Sequence, residues 1–214
     1  MKALLYKQLS LVCHPMTLVF ALFGVMLIIP NYPYTVAFFY VTLGIFFMFS
    51  NGREQKDIYY SALLPIRKRD HVKGNVIFIM LIEVASLVIA VPFAMLSVKI
   101  NPFGENQVGL DPNVALFGIV LLLYTLFNYI FLTSFYRTAY KVGISFLKAI
   151  IPTSLAMVIC EILPHIPALS MLNETTAKAN LQQLPILLVG LVVYGIMLRW
   201  TYQIAAARYE RVDL

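Results

Sequence analysis

Few residues in this 214-residue sequence could do chemistry, and they lie far apart. Its three histidines, His14, His71 and His165, are separated by long apolar stretches, and no H-E-x-x-H pair occurs. Metal-assisted hydrolysis needs ligands that converge on one ion, and a haem-bearing electron-transfer subunit needs histidines that face each other. The spacing therefore argues against both an intramembrane metalloenzyme and a haem protein.

Nucleotide and thiol chemistry have no better support. The sequence contains no G-x-x-x-x-G-K-[ST] motif, so the chain lacks the usual loop that cradles nucleotide phosphates. Cys13 and Cys160 have no paired spacing, and we expect two free thiols. We therefore predict no catalytic residue, no metal and no cofactor held by this chain.

Polar residues within the apolar stretches are the remaining candidates. Glu83 lies seven residues into one stretch, roughly 10 Å deep in a helix, where a carboxylate is costly unless it faces a cavity or a partner. It is either a pathway residue or a protonated or hydrogen-bonded packing residue that faces Asn128 or Tyr124. Glu161 lies near the outer end of another stretch, where we expect water to reach it.

Membrane-spanning helices must position these residues. The mean hydropathy is +0.83, with 61% hydrophobic and 12% charged residues, which is outside the usual range of a soluble domain. About 20 apolar residues cross roughly 30 Å of hydrocarbon, where a helix satisfies its own backbone groups. We predict one all-α integral membrane domain over residues 1–214. Its six transmembrane helices span residues 15–31, 34–50, 76–98, 113–135, 143–163 and 184–203.

The positive charges predict the orientation of this domain. Fourteen of the 16 Lys and Arg residues lie on one side of the predicted membrane, in or next to the two termini and the loops between helices two and three and between helices four and five. The exceptions are Lys99 and Lys178. Because the cytoplasmic side retains Lys and Arg, we expect both termini in the cytoplasm. The net charge of +6 then serves topology and contact with anionic headgroups, and we expect no nucleic-acid partner.

Residues 1–14 are predicted to form an amphipathic elbow helix in the cytoplasmic headgroup layer. Five apolar side chains gather on one half of the helical wheel: Leu4, Leu5, Leu9, Leu11 and Val12. Lys2 and Lys7 take the other half. Pro15 then breaks the helix, because proline disfavours a helical conformation in the preceding residue. The alternative is a long first span that starts early.

The cytoplasmic loop at residues 51–74 is predicted to contain a helix of its own. Asn51 is a suitable N-cap, Glu54 follows in a capping-box position, and Pro65 ends the helix. An apolar stripe opposes charged residues that include Asp57. The stripe consists of Ile58, Tyr59 and Leu63. A short amphipathic helix of this kind favours a protein partner.

This loop carries a family resemblance. Arg53-Glu54 followed by Ser61-Ala62-Leu63-Leu64-Pro65-Ile66-Arg67-Lys68-Arg69-Asp70 resembles the cytoplasmic segment of ABC-2-type permeases, in which a Leu-Pro pair and a basic residue precede the third helix. The resemblance covers essentially the whole chain. It is greatest to small bacterial permeases encoded with a separate ATPase, a group that includes exporters of phenol-soluble modulins and of peptide antibiotics. It implies a type V exporter-like fold.

The resemblance also implies partners. The loop helix would be a coupling helix that docks in a groove of a nucleotide-binding subunit. Its coupling residues would be Glu54, Asp57, Ile58, Tyr59, Leu63, Leu64 and Pro65. Two ATPase copies would bind ATP and Mg, and a second permease, identical or related, would complete the path. Residues 164–183 would hold short helices that dip towards the bilayer and gate the outer mouth, with a plain extracellular loop as the alternative.

The resulting prediction is a non-enzymatic permease subunit of an ATP-driven exporter in a bacterial cell membrane. The 15 Phe, 13 Tyr and 9 Met residues suit adaptable apolar surfaces for peptide or lipid-like cargo. The resemblance to peptide exporters implies that the cargo is toxin or antimicrobial peptides. The alternatives are a non-transporting membrane anchor or immunity protein, and an ABC-2 exporter of a lipid, drug or ion.

Overall fold

The computed structural model describes residues 2–101 and 106–212, and every regular element in these ranges is helical. The long helices are α3 (Thr35–Glu54), α5 (Lys68–Ile100), α6 (Val114–Phe135), α7 (Val142–Ile162) and α8 (Ala177–Glu210). All five are long and apolar enough to cross a membrane, and a bent N-terminal pair makes six if it counts as one span. The predicted all-α, multi-span fold is confirmed.

The N-terminal pair consists of two short helices joined at a sharp bend. These are α1 (Lys2–Lys7), continued by π-helical turns over Gln8–Val12, and α2 (Pro15–Ala21), continued by a 3₁₀ helix over Leu22–Ile28. The bend between them is 102°. His14 is extended, and its Nδ1 accepts a 3.2 Å hydrogen bond from Met16 N. Pro15 suits the first helical position because it has no N–H to leave unpaired. The bend is the geometry that the elbow prediction requires.

Helices α5 and α8 extend well beyond their predicted spans at residues 76–98 and 184–203. At 1.5 Å per residue, the 33 residues of α5 extend roughly 50 Å, well beyond the hydrocarbon thickness. The extra turns of α5 contact the end of the chain. Arg69 donates hydrogen bonds of 2.6 and 2.9 Å to the Glu210 carboxylate, and Lys68 Nζ donates one of 2.6 Å to Val212 O. Hydropathy detects only the apolar part of such a helix, so its polar ends were missed.

Helix α6 forms the centre of the bundle. It packs against α7 and α8 and also contacts α3. Aromatic rings fill the contact with α3, where Phe49 meets Phe131 and Phe135 edge-on at centroid distances of 5.0 and 4.8 Å. On its other side, α6 approaches α8 closely at Gly118 and Gly190. Both described termini lie at the Phe135 end of α6, which we call the basic end of the bundle.

The opposite end of the bundle is closed by short segments. The chain after α7 forms 3₁₀ turns over Leu163–His165 and Pro167–Leu172. Gln183, in the first turns of α8, accepts a 3.1 Å hydrogen bond from Ala115 N at the start of α6. The predicted short helices within residues 164–183 are therefore present in the first half of that segment, and the second half belongs to α8. Re-entry of this segment into the bilayer stays a prediction.

Candidate functional site

A separate short helix, α4 (Asp57–Leu63), joins α3 to α5 at the basic end. Before it, α3 ends at Glu54 and Lys56 is left-handed, with φ 53° and ψ 37°. After it, Pro65 keeps Leu64 extended, because a proline disfavours a helical conformation in the preceding residue. Two backbone breaks thus separate α4 from both long helices.

The predicted start of this helix is wrong. Asn51 lies inside α3, and its Nδ2 donates hydrogen bonds of 3.3 and 3.0 Å to the backbone oxygens of Leu11 and Val12. An asparagine that pairs with a distant carbonyl holds the elbow in place and does not cap a new helix. Glu54 consequently falls in the last turn of α3, and Asp57 supplies the acidic residue in the first turn of α4.

The inner face of α4 is polar and buried. Lys7 Nζ of α1 donates hydrogen bonds of 2.5 Å to Asp57 Oδ1 and 2.8 Å to Ser61 Oγ. His71 of α5 lies beside them, with its Nε2 3.7 Å from Asp57 Oδ2 and its Nδ1 3.4 Å from Lys7 Nζ. The sequence analysis placed Lys7 and Asp57 opposite the apolar side chains of their helices, but it did not predict that the two would form an ion pair inside the protein.

Hydrogen bonds extend this arrangement to α6. Asn75 Nδ2 lies 3.3 Å from His71 Nε2 and donates a 2.6 Å hydrogen bond to the hydroxyl of Tyr136. The Tyr136 ring in turn packs against Tyr209 of α8, with centroids 5.4 Å apart. We call Lys7, Asp57, Ser61, His71, Asn75 and Tyr136 the buried polar cluster. It gives α4 a continuous contact path to α1, α5, α6 and α8.

The outer face of α4 is apolar and exposed. Tyr59 and Leu63 are 61% and 86% exposed, and Tyr60 and Ala62 are exposed as well. These side chains contrast with the basic residues around them and belong to a helix whose opposite face is fixed. An exposed apolar surface on a rigidly anchored helix has the properties of a docking surface for another protein.

Concave surfaces flank α4 on both sides. An open groove of about 890 Å³ lies between the exposed side of α4 and the elbow, and its lining includes Leu11, Tyr60 and Leu64. A smaller cavity of about 200 Å³ lies on the other side, where Ile58 and Tyr59 face the loop between α6 and α7. Of the predicted coupling residues, Ile58, Tyr59, Leu63 and Leu64 therefore lie on or beside the apolar surface, whereas Asp57 anchors the helix.

A sequence comparison places the chain in a family. A family model described as an ABC-2 family transporter protein matches residues 3–206. The chain belongs to this family. It is a multi-pass permease subunit of an ABC transporter, a class that works with an ABC ATPase, and the resemblance found at Leu64-Pro65 is thus confirmed at the level of the family. No curated protein and no solved structure matches the chain.

Within the permease, Glu83 is fully buried and hydrogen-bonded. Asn128 Nδ2 lies 2.9 and 3.0 Å from its two carboxylate oxygens, and the Tyr194 hydroxyl donates a 2.5 Å hydrogen bond to Oε2. Nearby, the hydroxyls of Ser86 and Tyr124 lie 3.1 Å apart. Glu83 thus links α5 to α6 and α8. Asn128 is the partner that the sequence suggested, whereas Tyr194 was missed because it lies 111 residues away in the chain.

Glu161 is buried, contrary to the expectation that water reaches it. Its Oε1 accepts hydrogen bonds from Thr35 N at 2.9 Å and Thr35 Oγ1 at 2.5 Å, and its Oε2 accepts one from Leu110 N at 2.8 Å. The carboxylate therefore joins the start of α3 to the loop before α6, and these two segments bury it. The segments at the end of the bundle opposite the basic end close over this end of α7, which a depth estimate from sequence could not foresee.

The remaining candidates for a chemical site are metal ligands and thiols. Within residues 2–101 and 106–212, no group of three or more His, Cys, Asp or Glu side chains could hold a metal ion. Cys13 and Cys160 are both free thiols, as the sequence predicted.

Proposed function

We propose that the chain is the membrane-spanning subunit of an ATP-binding cassette exporter whose separate ATPase subunits dock on the outer face of α4. In this proposal both termini face the cytoplasm of a bacterium, and two ATPase copies bind ATP and Mg. A second permease, identical or related, completes a path for amphipathic peptides. The exposed apolar face at Tyr59 and Leu63 is the observation that carries the proposal.

The anchored inner face of α4 supports a role in transmitting force. A docking helix on a flexible loop would absorb the movement of its partner, whereas α4 is tied to α1 and α5 through Lys7, Asp57 and His71. A displacement of α4 by closure of the ATPases would therefore move the elbow and the start of α5 together. Rigid-body movement of this kind is a common means of switching between states.

Docking is tested by charge substitutions on the outer face. In the Tyr59→Asp and Leu63→Asp variants, an apolar contact is replaced by a charge that must be desolvated, so the ATPase should no longer co-purify with the permease. Membrane insertion should be unchanged, because both side chains are exposed. The matched control is Val108→Asp, an exposed apolar residue at the opposite end of the bundle. Unchanged co-purification of both α4 variants would contradict the docking surface.

The cargo proposal has its own test. The reconstituted complex of permease and ATPase should hydrolyse ATP faster when amphipathic peptides are added, because cargo that binds the path shifts the equilibrium towards the transporting state. The high content of Phe, Tyr and Met supports apolar cargo. If only lipids, drugs or ions stimulate ATP hydrolysis, the cargo belongs to that class and is not a peptide. An ATPase rate that does not depend on the permease at all would favour a non-transporting anchor or immunity protein.

A further inference from the structure

A basic cleft opens at the basic end of the bundle, beside the loop between α6 and α7. It has a volume of about 540 Å³ and lies where the end of α6, the start of α7 and the end of α8 meet. Four cationic side chains line it: Arg137, Lys141, Lys148 and Arg208. Hydroxyl groups of Thr133, Thr138 and Ser145 lie between them, and none of the described residues that line the cleft is acidic. Such a lining suits an anionic group that accepts several hydrogen bonds.

One of the cations is held in place by the fold. The Arg208 guanidinium donates a hydrogen bond to the backbone oxygen of Thr133 in α6, and Lys141 N donates one of 3.3 Å to Thr138 Oγ1. These contacts orient the wall of the cleft before any ligand arrives. A charged group that is already positioned loses less side-chain entropy when it binds a ligand.

An apolar stripe leads from the cleft along α6. Ser134, Ile130, Leu126 and Leu122 recur every four residues and are all half-buried, so they form one partly open face of α6 that is apolar beyond Ser134. The flanking helices expose apolar side chains, among them Ile144 of α7 and Trp200 of α8. The surface therefore changes from cationic to hydroxyl-bearing to apolar in the order in which a lipid changes from headgroup to acyl chain.

Aromatic side chains mark the level at which this change occurs. Tyr129, which lines the cleft, packs near Trp200 with ring centroids 6.2 Å apart. Tyr and Trp concentrate at the boundary between headgroups and hydrocarbon, because their rings are apolar and carry a polar atom. This pair of rings supports a position of the cleft at headgroup depth, with the stripe on α6 at the depth of the acyl chains.

We propose that this cleft and the stripe on α6 form a binding site for one anionic phospholipid. The phosphate lies among Arg137, Lys141 and Lys148, and an acyl chain covers the stripe. Basic pockets between membrane helices select lipids with anionic headgroups over zwitterionic ones. The proposal concerns only the permease and its lipid, so it does not depend on ATPase docking or on which side of the membrane the basic end faces.

The single tryptophan of the chain provides a local probe. Trp200 is 52% exposed and borders the stripe, so a bound lipid with brominated acyl chains should quench its fluorescence. The full-length permease is reconstituted into vesicles that contain either brominated phosphatidylglycerol or brominated phosphatidylcholine in an unbrominated phosphatidylcholine background. We expect half-maximal quenching at a lower mole fraction of phosphatidylglycerol. Equal quenching by both lipids would overturn the proposal.

Variants separate this site from general attraction to a charged membrane. The triple variant Arg137→Gln, Lys141→Gln, Lys148→Gln should lose the preference by roughly fivefold or more, since a basic residue near an anionic surface contributes about that factor. Lys2→Gln, Lys73→Gln, Arg211→Gln removes the same charge outside the cleft and should keep the preference, as should the charge-conserving Arg137→Lys, Lys141→Arg, Lys148→Arg variant. An equal loss in all three variants would contradict a specific site.

A final arm distinguishes a phospholipid from a free phosphate. Excess glycerol 3-phosphate offers the headgroup chemistry without acyl chains. It should leave the quenching of Trp200 by brominated phosphatidylglycerol unchanged, because the stripe on α6 contributes to binding the acyl chain. Relief of quenching by glycerol 3-phosphate would show a phosphate site that does not need the stripe, and would overturn the assignment to a lipid.

Discussion

Lys7 and Asp57 form an ion pair across 50 residues of sequence, with Lys7 Nζ 2.5 Å from Asp57 Oδ1. Their side chains are only 10% and 5% exposed. Because removing two charges from water offsets most of their attraction, such a pair adds little net stability, yet it fixes the geometry of the elements that carry it. The elbow and α4 are therefore one unit, and the apolar face of α4 points away from the bundle as a result.

Removing one member of this pair should be costly. Lys7→Ala leaves the Asp57 carboxylate buried without its cation, and we expect a loss of about 3–5 kcal/mol in the free energy of unfolding. Thermal unfolding of the purified permease in detergent measures it. The control is Arg67→Ala, which breaks the pair with Asp70; since the Arg67 side chain is 84% exposed, the loss should stay within about 1 kcal/mol.

A double variant tests whether the two residues act together. In the double variant Lys7→Met, Asp57→Asn, no unpaired charge remains. Its loss in the free energy of unfolding should therefore be smaller than the sum of the losses in the single variants Lys7→Met and Asp57→Asn. Strict additivity would mean that Lys7 and Asp57 do not interact, and it would remove the basis for treating the elbow and α4 as one unit.

The membrane helices could be predicted from sequence, whereas their ends could not. Apolar runs located α3, α5, α6, α7 and α8, because burial in hydrocarbon requires about 20 apolar residues whatever the neighbours are. The ends depend on tertiary contacts. Asn51 was predicted to be a helix cap, but its side chain donates hydrogen bonds to backbone oxygens of the elbow, and α3 continues to Glu54.

The candidate site divides in the same way. The apolar stripe at Tyr59 and Leu63 could be predicted, because it follows from helical periodicity within one segment. The buried polar cluster could not, because each charged member alone resembles a solvated residue. Two local signals existed: Asp57 and Ser61 of α4, and His71 and Asn75 of α5, are each four residues apart and so lie on one face of their helix.

The role of Glu83 can be separated into packing and transport. Tyr194→Phe removes the donor to a buried carboxylate oxygen, and we expect a loss of about 1–3 kcal/mol in the free energy of unfolding. Glu83→Gln keeps the shape and an acceptor for Tyr194, so stability should change by less than about 1 kcal/mol and transport should persist. If Glu83→Gln instead abolishes transport in a stable protein, the charge itself serves the pathway.

Glu161 should hold the loop before α6 in place. Glu161→Gln turns an amide N–H₂ group towards backbone donors at Thr35 or Leu110, so at least one N–H loses its acceptor. Hydrogen exchange should become faster at whichever of the Thr35 and Leu110 amides loses its acceptor. Thr35→Val removes only the hydroxyl contact and should have a smaller effect. Unchanged exchange in Glu161→Gln would show that this loop is held by other contacts.

The close approach of α6 and α8 offers a matched pair of substitutions within one helix. At Gly190 an added Cβ would lie 2.6 Å from Gly118 O, whereas at Gly195 nothing lies within 4 Å. Gly190→Ala must therefore push α6 and α8 apart, and we expect a loss of about 1–3 kcal/mol in the free energy of unfolding. Gly195→Ala should be neutral or stabilising by up to about 1 kcal/mol, because alanine favours the helix. Thermal unfolding of both variants measures the difference, and equal effects would mean that the two helix backbones do not meet at Gly118.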